Sequence, residues 1–134
     1  MTLLLCALLV VASCRTVGIS TEDGGYAEIS PTVAAEMMLD SQQVVVLDIR
    51  PAEKYRGVAG HIAGSISAPF DTIERQLPEL LPYQKDTVLV YGDTSTDGAV
   101  AAKLLSVAGF RNVVHIAGGL QGWIERGYRT VNSQ

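Results

Sequence analysis

The sequence predicts an α/β domain: an open parallel sheet with helices on both faces. Three observations carry that expectation. First, Val44-Val45-Val46-Leu47, Val88-Leu89-Val90-Tyr91 and Asn112-Val113-Val114-His115-Ile116 are continuous apolar runs rich in β-branched residues. They lack the alternation of a half-exposed strand and so read as strands buried on both faces. Second, helical patterns separate these runs, and strands alternating with helices assemble into a parallel sheet. Third, the chain has 134 residues and is 48% hydrophobic, which suits one domain with a sizeable core.

The remaining elements follow in order. Residues 26–29 and 65–67 are shorter strand candidates. Ser30-Pro31 opens a helix, with Ser30 as N-cap, Pro31 at the first helical position, and Val33, Met37 and Met38 on one face. Residues 77–81 and 121–126 are expected as short helices bracketed by Pro78, Pro82 and Gly127. Asp97 is expected to cap a helix over residues 99–108, with Val100, Leu104, Leu105 and Ala108 as its apolar stripe. Gly109-Phe110 ends that helix through a left-handed glycine. Ligands of such sheets bind beyond the carboxyl ends of the strands, so the loops after Leu47 and Tyr91 are where function is expected.

Composition removes several classes of activity. Ten Lys+Arg against fourteen Asp+Glu give a formal charge of -4, the opposite of a nucleic-acid-binding footprint. Two cysteines and two histidines are too few for a disulfide scaffold or a closed zinc site. Neither a metal, a cofactor nor a nucleic acid is expected.

From Met1 to Ser13 the chain has eleven apolar residues out of thirteen and no charged side chain. That is an export-signal pattern, well short of the roughly 20 residues that cross a bilayer as a helix. Val11-Ala12-Ser13-Cys14 resembles the lipobox of bacterial lipoproteins, which implies a lipidated Cys14 and a membrane as partner. The expected organisation is a signal and lipobox over residues 1–14, a linker over 15–25 and a folded domain over 26–134. The expected location is the bacterial cell envelope, outside the cytoplasmic membrane, on the outer membrane if the cell has two. Cys6 then leaves with the signal, and the mature domain has no free thiol.

Three segments of the domain resemble rhodanese-like domains. Val46-Leu47-Asp48-Ile49-Arg50, followed by Glu53, Tyr55 and Gly60-His61-Ile62-Ala63-Gly64-Ser65-Ile66, is similar to their first signature. Val88-Leu89-Val90-Tyr91, a loop, a helix and Gly109-Phe110-Arg111-Asn112-Val113 resemble the middle. Ile116-Ala117-Gly118-Gly119-Leu120-Gln121-Gly122-Trp123 resembles the closing signature. The resemblance covers residues 26–131 and implies that fold. It also implies sulfur transfer through a persulfide on a cysteine at the head of the loop after Tyr91, where backbone amides and a helix N-terminus would steady the thiolate.

Here that loop reads Gly92-Asp93-Thr94-Ser95-Thr96-Asp97-Gly98. Gly92 stands at the nucleophile position, and Asp93 and Asp97 bring negative charge where the resemblance implies an arginine. The loop is therefore expected to be vestigial, with no catalytic residue. Thr94, Ser95 and Thr96 offer hydroxyls, but only carboxylates accompany them as bases. The same stretch begins like a calcium loop, yet its twelfth position is Leu104 where a bidentate Glu is needed. Asp48, Arg50 and His61 are expected, by the resemblance, to brace the neighbouring loops. A surface ion pair is the alternative for Arg50. His115 is expected to be structural or at the surface, Gly118-Gly119 a turn opening a helix, and Trp123 packed on the sheet or exposed as a partner anchor.

The expectation is a non-catalytic binding or scaffold module with a protein partner. Its alternative is a sulfurtransferase whose nucleophile is unrecognised or comes from another protein. A weak anion or metal sensor is a third reading.

Overall fold

The computed structural model describes residues 20–21, 25–40 and 43–132. The expected signal and lipobox, residues 1–14 with Cys6 and Cys14, lie outside the described residues. Six strands occur in chain order: β1 Ser20–Thr21, β2 Ala27–Ile29, β3 Val44–Asp48, β4 Ile66–Ser67, β5 Thr87–Tyr91 and β6 Asn112–Ile116. The helices are α1 Pro31–Asp40, α2 Ala52–Tyr55, α3 Ile73–Leu80, α4 Ser95–Val107 and α5 Gly119–Glu125, with a 3-10 turn at Leu81–Tyr83. They build one sheet in the order β1-β2-β6-β5-β3-β4. All its pairings are parallel except that of β1, whose Ser20 lies antiparallel opposite Glu28. Ser20 and Thr21, within the expected linker, are thus paired with the sheet. No described helix is long and apolar enough to cross a membrane.

Burial on both faces explains the unbroken apolar runs. Val88 and Val90 of β5 pack with Ile73 and Leu80 of α3 and with Ala101, Ala102 and Leu105 of α4. Leu89 and Tyr91 of the same strand pack with Ala34 of α1 and with Leu120 and Trp123 of α5. Each fully buried large aliphatic side chain contributes about 1.5–3 kcal/mol, so the two layers hold the strand ends in fixed register.

Several boundaries differ from expectation for local physical reasons. Ser30 does cap α1, its Oγ accepting the Val33 amide at 3.3 Å. Helix α4, however, starts at Ser95 after an extended Thr94, so Asp97 lies in its first turn rather than capping it. Of its expected stripe, Leu105 is buried and Leu104 and Ala108 pack against the core, but Val100 is 52% exposed, and the small residues Gly98, Ala101 and Ala102 complete the buried side. Small residues win because the helix lies close to the sheet: a Cβ on Gly98 would stand 2.7 Å from the His115 ring. Helix α3 begins at Ile73 and takes Pro78 inside it, and α5 begins at Gly119 behind the left-handed Gly118. The four residues of α2 are too few to show any period.

Candidate functional site

The parallel strands end on one side of the sheet, where β3 and β5 bring Asp48 and Tyr91 into register. Asp48 is fully buried and Arg50 is only 3% exposed. The Arg50 guanidinium grips Asp48 with two branches, Nε to Oδ1 at 2.9 Å and Nη2 to Oδ2 at 2.6 Å. Nη2 also donates to the Gly60 carbonyl at 2.7 Å. Tyr91 donates its hydroxyl to Asp48 Oδ2 at 2.6 Å and accepts the Ile62 amide at 3.1 Å. Its oxygen lies 3.2 Å from Ser65 Oγ. Arg50 is thus a buried brace between β3 and the 60–65 turn, not a surface ion pair.

These contacts set the charges. Burial opposes the Arg50 cation, but the hydrogen bond and charge of Asp48 outweigh it and raise the Arg50 pKa above its ordinary value. Burial, with the adjacent Asp48 carboxylate, holds the Tyr91 phenol far above its ordinary value. Tyr91 is therefore a fixed neutral donor.

His61 braces the same turn. Its Nδ1 lies 2.9 Å from the Tyr55 carbonyl, which only accepts, so the proton sits on Nδ1. Its ring stacks on Tyr55 with centroids 3.7 Å apart. The Tyr55 hydroxyl donates to the Ser65 carbonyl at 2.6 Å, and the His61 backbone pairs with Val131. His115 is remote from this chemistry: it is fully buried on β6, with Nδ1 donating to Glu28 Oε2 at 2.9 Å.

The loop after Tyr91 is held from beneath by α5. The Leu120 amide donates to the Gly92 carbonyl at 2.9 Å, the Gln121 amide to the Asp93 carbonyl at 3.2 Å, and the Gly118 amide to Ser95 Oγ at 2.7 Å. Gly119, with φ +58°, must be a glycine, because a Cβ there would stand 2.5 Å from the Gly92 carbonyl oxygen. Gly92 itself is buried. A Cβ at Gly92 would lie 3.1 Å from the Asp97 Cβ and 3.3 Å from both the Gly98 nitrogen and Ile49 Cδ1.

Beside this loop opens a cleft of about 330 Å³ lined by apolar Ile49, Pro51 and Phe70 and by charged Arg50, Asp71, Asp93 and Asp97. The Asp93 carboxylate is bonded to Lys54 Nζ and lies 3.8 Å from Arg50 Nη1. Thr94, Ser95, Thr96 and Asp97 are exposed. Among the described residues no group of three or more His, Cys, Asp or Glu is arranged to hold a metal ion. Trp123 is buried, its Nε1 donating to the Arg129 carbonyl at 3.0 Å, which removes it as an exposed anchor. Lys54, Phe70 and Asp71 carried no sequence signal, whereas Tyr91 closes a strand just before the loop and was legible there as a strand end only.

A mostly parallel sheet with a tight loop between strand and helix, clamped by a Gly-Gly turn, defines a class of α/β domain. The chain belongs to the rhodanese-like domain family, whose model matches residues 30–126. It is similar to thiosulfate sulfurtransferase PspE of Escherichia coli, with 31% identity over 56% of this chain and 69% of that protein. It is also 32% identical over 62% of its length to a tRNA uridine(34) hydroxylase of Photorhabdus laumondii, but the match spans only 24% of that larger protein. A rhodanese-related protein of Thermoplasma volcanium has the same fold, with TM-score 0.69, 28% identity, and coverage of 79% of this chain and 98% of that one.

Proposed function

We propose that this chain is a rhodanese-like binding module without sulfurtransferase activity of its own, tethered in a bacterial envelope through Cys14. One observation carries the reading: Gly92 heads the loop after β5, and no cysteine follows Cys14 in the sequence. Persulfide chemistry needs a thiolate at the loop, and a glycine supplies none. The loop's Asp97 carboxylate, which no described ion pair engages, further opposes an incoming thiosulfate dianion. Its clamp on α5 and the Asp48–Arg50–Tyr91 network favour a rigid surface, as recognition requires.

A second reading is favoured by the name of the Escherichia coli relative, a thiosulfate sulfurtransferase. On it, the domain transfers sulfur with a thiol lent by another protein. The test is thiocyanate formation from thiosulfate and cyanide by the purified protein, beside Gly92→Cys and Gly92→Cys with Asp97→Ala. The parent is expected to be silent. The double variant is expected to gain turnover, since removing the Asp97 carboxylate lifts its repulsion of the anion, although the Asp97 Cβ that lies 3.1 Å from the position of the new Cβ remains. Turnover by the parent alone would sink the non-catalytic reading, and turnover only with an added reduced thiol protein would establish the second.

A further inference from the structure

The charges around the cleft cancel in pairs and leave a remainder. Arg50 is bound to buried Asp48, and Lys54 is bound to Asp93. Asp71 and Asp97 line the same cleft, and among the described residues no ion pair engages either carboxylate. The neighbouring depressions add Glu53 on one side and Glu125 on the other, charges of the same sign. The apolar part of the cleft's lining is Ile49, Pro51 and Phe70, the last 42% exposed.

An apolar groove with unbalanced carboxylates is complementary to an amphipathic cation. We infer that the cleft docks a lysine or arginine side chain carried, next to apolar residues, on an extended segment of a partner protein. The hydrocarbon stem of such a side chain lies along Phe70 and Pro51, as long cationic side chains lie on apolar surface while their heads stay hydrated. Its head then sits between Asp71 and Asp97, with the Phe70 ring face offering a further attraction to a cation. Small anions are disfavoured by the same carboxylates. This inference rests on the binding-module reading and names the partner chemistry of that site.

The probes are two fluorescein-labelled peptides of equal length, one alternating leucine with lysine, the other leucine with glutamate. Their anisotropy is followed against the full chain at about 0.15 M salt, where charges farther apart than a Debye length are screened. The basic peptide is expected to bind at least about tenfold tighter than the acidic one. Asp71→Asn with Asp97→Asn should weaken it about tenfold, Phe70→Ala should weaken it without any change of charge, and Glu36→Gln on α1 should leave it unchanged. Equal affinity for both peptides, absence of binding, or an equal loss in Glu36→Gln overturns the inference. The thiosulfate assay keeps the two readings apart: turnover by the parent removes the binding-module reading, whereas a silent parent without peptide preference removes this inference alone.

Discussion

The Tyr91 hydroxyl donates to Asp48 Oδ2 at 2.6 Å, joining the ends of neighbouring strands β5 and β3 beneath the loop. Because Arg50 holds that same oxygen at 2.6 Å, the carboxylate is satisfied from both sides. One buried charge thereby ties two strands to the 60–65 turn.

Tyr91→Phe should lower stability at neutral pH by about 1–3 kcal/mol, since it leaves Asp48 Oδ2 and the Ile62 amide each short of a partner. The phenol's pKa in the fold is raised above its ordinary 10.0, so the native state binds the proton more tightly than the unfolded chain. Its contribution is fully present below pH 10.0 and is lost as pH rises towards the folded value. Urea melts at pH 7 and above pH 10 should show the parent losing stability on the alkaline side, and Tyr91→Phe losing less.

Arg50→Met should be among the most damaging single changes. It leaves Asp48 buried and uncompensated, a cost of about 3–5 kcal/mol, and it frees the Gly60 carbonyl. Arg50→Lys keeps the charge but not the two-branched grip, so an intermediate loss is expected. Thermal unfolding of both variants decides this; parent-like melting of Arg50→Met would place the network's strength elsewhere.

Gly119→Ala and Gly64→Ala make a matched pair. Both glycines have positive φ, +58° and +77°, but a Cβ on Gly64 meets nothing within 4 Å, whereas one on Gly119 meets the backbone of residues 92–94. Each should lose about 1–3 kcal/mol from backbone strain, and Gly119→Ala should lose more. Amide exchange at residues 92–95 should accelerate only in Gly119→Ala.

Cys14→Ser should move the protein from the membrane to the soluble fraction of a bacterial host, because each acyl CH2 buried in lipid contributes about 0.8 kcal/mol to retention. Unchanged membrane association would remove the tether from the proposed function and leave the cleft argument intact.

The sheet was legible in the sequence because β3, β5 and β6 are buried on both faces, and continuous β-branched runs have few other uses. Helix α4 was legible in existence and largely in orientation: Leu105 is buried and Leu104 and Ala108 pack against the core, while Val100 faces outward. Its closest approach to the sheet runs through Gly98, Ala101 and Ala102, residues too small to mark a hydrophobic stripe. At the site, Asp48, Arg50 and His61 were named by resemblance, but whether Arg50 is buried depends on the turn that folds over it. Phe70 and Asp71 come from a connection without periodicity, and only tertiary packing brings them beside Asp97.

Helix α5 bonds to the loop at Gly92 and Asp93, and Val131 beyond it pairs with His61. The last stretch of the domain is therefore scaffolding for the cleft, although it follows every residue that lines it. Trimming the chain ahead of Val131, or fusing a bulky reporter there, would disturb the 60–65 turn that braces Arg50. An amino-terminal label is the safer choice only where the tether is not under study.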